Sequence, residues 1–440
     1  MARLEGYYGY ALSVLEKVGA QVYDKVRVVK GLTAYEGLLM PLTTASDRYV
    51  VLKLENGYNV GLTLTDDTRI ELIEKGVERI PELPPIPLRE VEGLPPVSII
   101  STGGTIASRV DYKTGAVYPA LSAQDLYSVV PEIGDMANIK AEVLFSLLSE
   151  DMHPKYWAAI AERAAKHINE GVRGVVITHG TDTMSYTAAA LSFALQNLPV
   201  PVVLTGAQRS SDRPSSDAAL NLLSAVIAAA KGPFAEVVVI MHGEPGDTFT
   251  LLHRGTKVRK CHTSRRDAFT SINSPPLGKV EKGSVIMLTD DYSRRKQLNT
   301  LTLKASFDER VALVKTYPGI APEALDFYID KGFHGIVIEG TGLGHTPSYL
   351  FPQIKRAIEE GIPVVMTSQC LWGRINMQVY RTGVDLYRMG VIPGEDMLPE
   401  VALVKLMWTL GQTRDPQEVR RIMLTNIAGE INPRSCFYDF

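Results

Sequence analysis

The sequence predicts an α/β protein, with two parallel α/β domains preceded by a small all-β barrel domain. Three observations carry this reading. From residue 97 onward, short apolar runs alternate with helix-length amphipathic stretches. That is the pattern of right-handed βαβ crossovers and a parallel sheet covered on both faces. Before residue 75 the apolar runs are short, β-rich and broken by turn residues. Between the two lies 79–96, RIPELPPIPLREVEGLPP, with six prolines. Proline fixes φ and lacks a donor, so this stretch is an extended, semi-rigid linker. The expected divisions are a β-barrel docking domain at 1–78, a linker at 79–96, and α/β domains at 97–300 and 301–440.

In chain order, a helix is expected at 7–17 and strands at 25–30, 35–40, 49–54 and 58–64. Asn56 and Gly57 separate the last two, and Asn-Gly between apolar runs is the strongest short hairpin signal. Residues 97–101, VSIIS, form a buried strand that runs into the turn 102–105, TGGT. A helix follows at 154–170, with Trp157, Ile160, Ala161, Ala164 and Ile168 on one face. Pro154 suits its first position and Gly171 its stop. Strands are expected at 174–178, 202–205 and 237–241, and helices at 185–195 and 217–231. The polar stretch 289–300 reads as the crossing to the second unit. There, 336–339 and 364–367 read as strands, and 322–331, 348–360 and 399–410 as helices.

Composition narrows the function. The 440 residues are 45% hydrophobic and 22% charged, ordinary for a soluble globular protein. A net charge of −3 provides no global basic field for nucleic acid or an anionic membrane. Cys261, Cys370 and Cys436 are odd in number and far apart, which argues against a disulfide framework and fits a reducing cytosol. Neither they nor the histidines show metal-ligand spacing, so no metal is expected. The start MARLEGYYGY has no signal-peptide pattern. No run approaches the ~20 apolar residues of a membrane span.

Three segments carry suspicious polar groups. Thr102-Gly103-Gly104-Thr105 places two hydroxyls at the carboxyl end of a strand, where open α/β sheets bind ligands. An ordinary strand-to-helix turn is the plain alternative. THGTDT at 178–183 sets Thr181 beside Asp182 at a helix entrance, where both are also good N-caps. Lys260 lies in HRGTKVRKCHTSRR at 253–266, which also reads as a solvated basic loop or a nucleic-acid patch. Together they make chemical sense. A threonine hydroxyl is a weak nucleophile that needs a base in hydrogen-bond reach and a group to orient that base. A lysine serves as base where burial or neighbouring cations favour the neutral amine, and the run around 260 supplies cations. Asp182 can orient the lysine or grip a substrate ammonium. The set points to covalent attack on a carbonyl.

TGGTIAS at 102–108 and THGTDTM at 178–184 resemble the two signatures of the bacterial-type L-asparaginase and glutaminase-asparaginase family, with likeness over about 97–424. The resemblance implies an asparaginase-like fold, with 97–300 as its N-terminal catalytic domain and 301–440 as its C-terminal domain. It implies Thr105 as nucleophile, Tyr118 (less well Tyr112) as lid tyrosine, and Thr181, Asp182 and Lys260 as catalytic residues. Backbone amides at Gly103, Gly104 and Gly180 are candidates for the oxyanion. Ser149 matches the serine of the pair that holds the substrate α-carboxylate. Glu150 stands where the family has glutamine, and a carboxylate there argues against ordinary asparagine specificity. Glu339 and Tyr380 are candidates to complete a neighbouring subunit's site.

The β-rich prefix and proline linker on such a domain resemble the D subunits of archaeal-type glutamyl-tRNA(Gln) amidotransferases. This implies release of ammonia from glutamine by a cytoplasmic homodimer, and a heterotetramer with a second subunit that activates glutamyl-tRNA. ATP and Mg belong to that partner, no cofactor to this chain; tRNA contacts run mainly through the partner, and no membrane is involved. The alternatives are a stand-alone cytoplasmic L-asparaginase with an unrelated prefix and a catalytically idle ligand-binding scaffold.

Overall fold

The amino-terminal segment folds as helix α1 (Gly9–Lys17) over five strands: β1 (Lys25–Lys30), β2 (Thr33–Met40), β3 (Tyr49–Lys53), β4 (Asn59–Thr63) and β5 (Arg69–Glu74). They form an antiparallel sheet in the order β4-β3-β2-β1-β5. This computed structural model describes residues 4, 6–31, 33–40, 47–54, 59–76, 91–103, 108–110, 117–119, 130–209, 216–298 and 300–435. The Asn56-Gly57 turn and most of the proline linker fall outside them. Strand alternation turns Val26 and Val28 inward, against Leu39, Val50, Leu52 and the Ala11–Leu15 face of α1. Arg27 faces outward and donates to Glu36 at 2.7 Å across the β1–β2 pair. Closure into a barrel would need β4 to pair with β5, and the pairings among the described residues form an open order.

The next sheet holds eight strands. It starts from β6 (Pro96–Gly103), a run buried from Val97 onward that lies next to one edge of the sheet. A small antiparallel pair, β7 (Ser108–Val110) and β8 (Val117–Pro119), follows. Next come β9 (Asn138–Leu147), helix α2 (Pro154–Asn169), β10 (Gly174–Thr178), helix α3 (Met184–Ala194), the short β11 (Leu195–Gln196), β12 (Val202–Thr205), helix α4 (Ala218–Lys231) and β13 (Val237–His242). Strands β9, β6, β10, β12 and β13 lie side by side and parallel. The chain leaves β6 for β9 on one side, then returns to β10 on the other, so the order reverses at β6. Ligands bind at such a reversal, outside the carboxyl ends of the strands.

The sheet is not wholly parallel. Strand β14 (Phe249–Arg254) runs antiparallel to β13. The connection 243–248 is too short for a crossover helix, which needs a dozen or more residues, so the chain turns straight back. β15 (Val258–Lys260) and β16 (Phe269–Ser271) then form a two-stranded ribbon apart from the sheet. β17 (Gly278–Glu281) and β18 (Ser284–Met287) extend the antiparallel edge. β19 (Thr302–Leu303) pairs with β11, so the chain still packs on the first unit just past residue 300.

The second unit is a parallel sheet of β20 (Val311–Lys315), β21 (Gly335–Gly340), β22 (Val364–Ser368) and β23 (Ile392–Pro393). Its helices are α5 (Glu323–Asp330), α6 (Phe351–Glu359), α7 (Arg381–Met389), α8 (Pro399–Gln412) and α9 (Pro416–Leu424). The stretch expected as one helix at 348–360 is a 3-10 turn, Ser348–Leu350, leading into α6; Pro352 sits in the first turn of α6, where its missing donor is harmless. The two units share a core. Helix α3 is apolar on nearly every side, so it must be covered all round. One side meets the first sheet, and another, Ala189, Ala190 and Phe193, meets α8, with Phe193 stacked on Trp408 at 5.9 Å. Among the described residues, no helix is long and apolar enough to cross a membrane.

Candidate active site

The loops after β6 and β10 meet at the carboxyl edge of the first sheet. Thr102 donates from its hydroxyl to the Thr178 carbonyl at 2.9 Å, fastening the end of β6 to the end of β10. Gly103 has φ +113°, and a Cβ there would lie 2.2 Å from the Leu147 carbonyl of β9. Only glycine fits this exit from the strand.

After β10, His179 shapes the turn. Its Nδ1 lies 2.6 Å from the Gly180 carbonyl, which only accepts, so Nδ1 carries the proton. Nε2 then accepts from the Thr187 hydroxyl at 2.8 Å, and Trp157 Nε1 donates to that same hydroxyl oxygen at 3.1 Å. Burial pushes the imidazole down to about 4, so it is neutral in this role. Gly180 packs on Ser149, whose Cβ would be 2.6 Å from any Cβ at position 180.

The turn delivers Thr181 and Asp182 to Lys260, on β15. Lys260 Nζ donates to Thr181 Oγ1 at 2.9 Å and to Asp182 Oδ1 at 2.7 Å. Ser149, on the 3-10 turn Ser149–Asp151, donates to the second oxygen of Asp182 at 3.3 Å. The Lys260 ammonium holds the Asp182 carboxyl below the usual carboxylate range. Four of the expected residues, Ser149, Thr181, Asp182 and Lys260, are thus brought together with Gly180. Thr183 donates to the Ser149 carbonyl at 2.6 Å and locks the two turns.

Other expectations stand apart. Gly104, Thr105 and Tyr112 lie outside the described residues; β6 ends at Gly103, two residues before Thr105. Tyr118 is on β8, where its backbone pairs with Arg109. Glu150 is exposed beside Ser149. Glu339 pairs with Lys315 at 2.9 Å, and Tyr380 packs edge-on against His345, both at the carboxyl side of the second sheet.

One contributor was not expected. Gln208, past the end of β12, takes the Thr181 hydroxyl at 3.5 Å. Its loop is held by Asp217, whose carboxylate accepts the backbone N–H of Gln208 at 3.0 Å and of Arg209 at 2.9 Å. The sequence marks this loop only as the end of a strand; its place next but one to β6 follows from the strand order.

Comparison with known proteins agrees with this fold. The model "Asparaginase, N-terminal" matches residues 96–292, "Glutaminase/Asparaginase C-terminal domain" residues 310–423, and "GatD N-terminal domain" residues 20–73. The glutamyl-tRNA(Gln) amidotransferase D subunit of Pyrococcus horikoshii is 56% identical over 96% of this chain and 98% of that one. Its namesake from Methanothermobacter thermautotrophicus is 54% identical over 99% of both. The solved L-asparaginase of Thermococcus kodakarensis superposes with a TM-score of 0.69 at 36% identity, covering 77% of this chain and 99% of its own.

Proposed function

Since this chain belongs to the family of glutamyl-tRNA(Gln) amidotransferase D subunits, with an asparaginase-like fold, we propose that it is the glutaminase subunit of a tRNA-dependent amidotransferase. The observation that carries the reading is the Lys260–Thr181–Asp182 cluster at the carboxyl edge of the sheet, beside the strand that leads to Thr105. The Thr105 hydroxyl attacks the side-chain amide carbon of glutamine. Its proton passes by way of Tyr118 or Lys260 to the leaving nitrogen. The C–N bond breaks, ammonia departs, and an acyl-threonine ester remains. Water then hydrolyses the ester to glutamate and frees Thr105. Asp182 and Ser149 hold the α-amino and α-carboxylate groups, and backbone amides at Gly103, Gly104 and Gly180 receive the oxyanion. One such donor is worth about 3 kcal/mol in the transition state.

The chain works as a homodimer and, with a second subunit, as a heterotetramer in the cytoplasm. That partner uses ATP and Mg to activate glutamyl-tRNA, captures the ammonia and makes most of the tRNA contacts. The residues 1–78 dock it and 79–96 link it to the catalytic domains. Thr105→Ala is expected to abolish ammonia release while leaving the circular dichroism spectrum intact; ammonia release at the parental rate overturns the nucleophile. The likeness to a solved L-asparaginase supports a second reading, free-asparagine hydrolysis. Measuring ammonia from glutamine and asparagine, with and without partner and charged tRNA, separates the two. Vigorous asparagine turnover by the isolated chain favours the second.

A further inference from the structure

Lys260 reaches the active site from a ribbon that is not a strand pair of the main sheet and is tied to it by a side-chain contact, Ser271 with His253 of β14 at 2.8 Å. Among the described residues, strands β15 and β16 pair with each other alone, through Val258 with Ser271, Arg259 with Thr270 and Lys260 with Phe269. Alternate residues of such a ribbon face opposite ways. Val258 is buried in the core of the first unit with Ala268 and Phe269, and Lys260 reaches Thr181 and Asp182 from the same side. Lys257 and Arg259 turn the other way, toward the second unit. Lys257 Nζ pairs with Asp396 at 2.7 Å. Arg259 Nε lies 3.6 Å from Glu400.

Both acidic partners are themselves fixed. Asp396 accepts the Asn432 backbone N–H at 2.9 Å and its side-chain amide at 2.7 Å. Glu400 is buried in the first turn of α8, the helix whose Trp408 stacks on Phe193 of α3. Burial pushes the Glu400 carboxyl above the usual carboxylate range, and the Arg259 guanidinium beside it opposes that shift. Burial, then the charge of Glu400, pushes the phenol of Tyr186, also near this pair, up. At the base of the ribbon, Asn273 donates to the Gly373 carbonyl at 2.9 Å and receives the Gly373 N–H at 2.8 Å. The ribbon is therefore gripped by the second unit on the face opposite to its catalytic lysine.

We propose that Asp396 and Glu400, both in the second unit, are positioning residues for Lys260: they hold the ribbon by Lys257 and Arg259 and so set where the Lys260 amine meets Thr181 and Asp182. The second unit thereby contributes to the chemistry of its own chain's site without touching the substrate. This rests on the glutaminase reading for its kinetic test only. A misplacement of about 1 Å at a reacting group lowers rate by about a hundredfold.

The decisive variant is Glu400→Gln, which keeps shape and removes the charge. In the complex with partner and charged tRNA, kcat for ammonia release is expected to fall at least about tenfold, with KM within about twofold and the pH–rate limbs displaced. In its crystal structure the 2.7 Å contact of Lys260 with Asp182 is expected to lengthen. Asp396→Asn acts in the same direction with a larger loss of stability. If Glu400→Gln fails to fold, Arg259→Met, at the more exposed end of the pair, takes its place. A folded variant with parental kcat and pH profile, or with the Lys260–Asp182 contact unchanged, overturns the proposal. A parent that releases no ammonia from glutamine instead overturns the glutaminase reading, and the crystallographic comparison still decides the role of Glu400.

Discussion

Lys257 and Lys260 sit three residues apart, and each pairs with an aspartate at 2.7 Å. Their surroundings differ. Lys257 and Asp396 are 1% and 3% exposed, closed off between the two α/β units. Lys260 is 12% exposed, but Asp182 is 67% exposed at the mouth of the site. A closed pair penalises the loss of either member, because the survivor is left as an uncompensated buried charge. An open pair adds little to stability but leaves an oxygen of Asp182 accessible to a bound molecule. The same two residue types are thus closed off on one face of the ribbon and open at the edge of the sheet on the other.

The largest expected effect is catalytic. Lys260→Met should lower ammonia release by about three orders of magnitude, the range for a positioned acid–base group, with little change in a urea melt. An equally large fall in stability would erase the distinction between the two pairs. Lys257→Met should do the reverse: lose about 3–5 kcal/mol in the same melt, because Asp396 is stranded. Adding Asp396→Leu should restore only part of it, since the Asn432 donors that Asp396 receives would then be orphaned.

A pH series sharpens the contrast between closed and open groups. His179 and His253 are buried, and burial pushes each from 6.5 to about 4. Below pH 6.5 the unfolded chain binds protons at both, and the folded chain does not until about pH 4. Stability should therefore fall as pH drops through that window, by up to about 3 kcal/mol for each histidine, and level off below it. Chemical melts at pH 7, 5.5 and 4.5 measure this, and a His253→Gln variant should flatten the slope. The smallest effect belongs to Asp182→Asn, which should move stability by less than about 1 kcal/mol while impairing turnover.

How far the sequence disclosed all this depends on the kind of signal. Strands buried on both faces were legible to the residue: 174–178 and 202–205 are continuous apolar runs bounded by turns, and the structure gives Gly174–Thr178 and Val202–Thr205. Strand β9, NIKAEVLFSL, was not read, because a half-covered sheet edge mixes lysine and glutamate into its apolar residues. The antiparallel strands β14, β17 and β18 were hidden by the expectation of crossovers, and α7 and α9 by short, strongly charged sequences. At the site, the motif at 178–184 singled out Thr181 and Asp182 and the run 253–266 singled out Lys260, and the fold brings the three together. The run 253–266 nevertheless read as one basic loop. Its division into Lys257 and Arg259 on one side and Lys260 on the other appears only once β15 is paired with β16. Gln208 was missed because its contribution depends on β12 lying beside β10.

The helix between the two sheets has a further consequence. Ala189, Ala190 and Phe193 belong to a cluster that also holds Val337, Val365 and Trp408, some 150 to 220 positions along the chain. Fragments expressed separately on either side of residue 300 would each bare half of that cluster to water and should precipitate alone yet reconstitute when mixed.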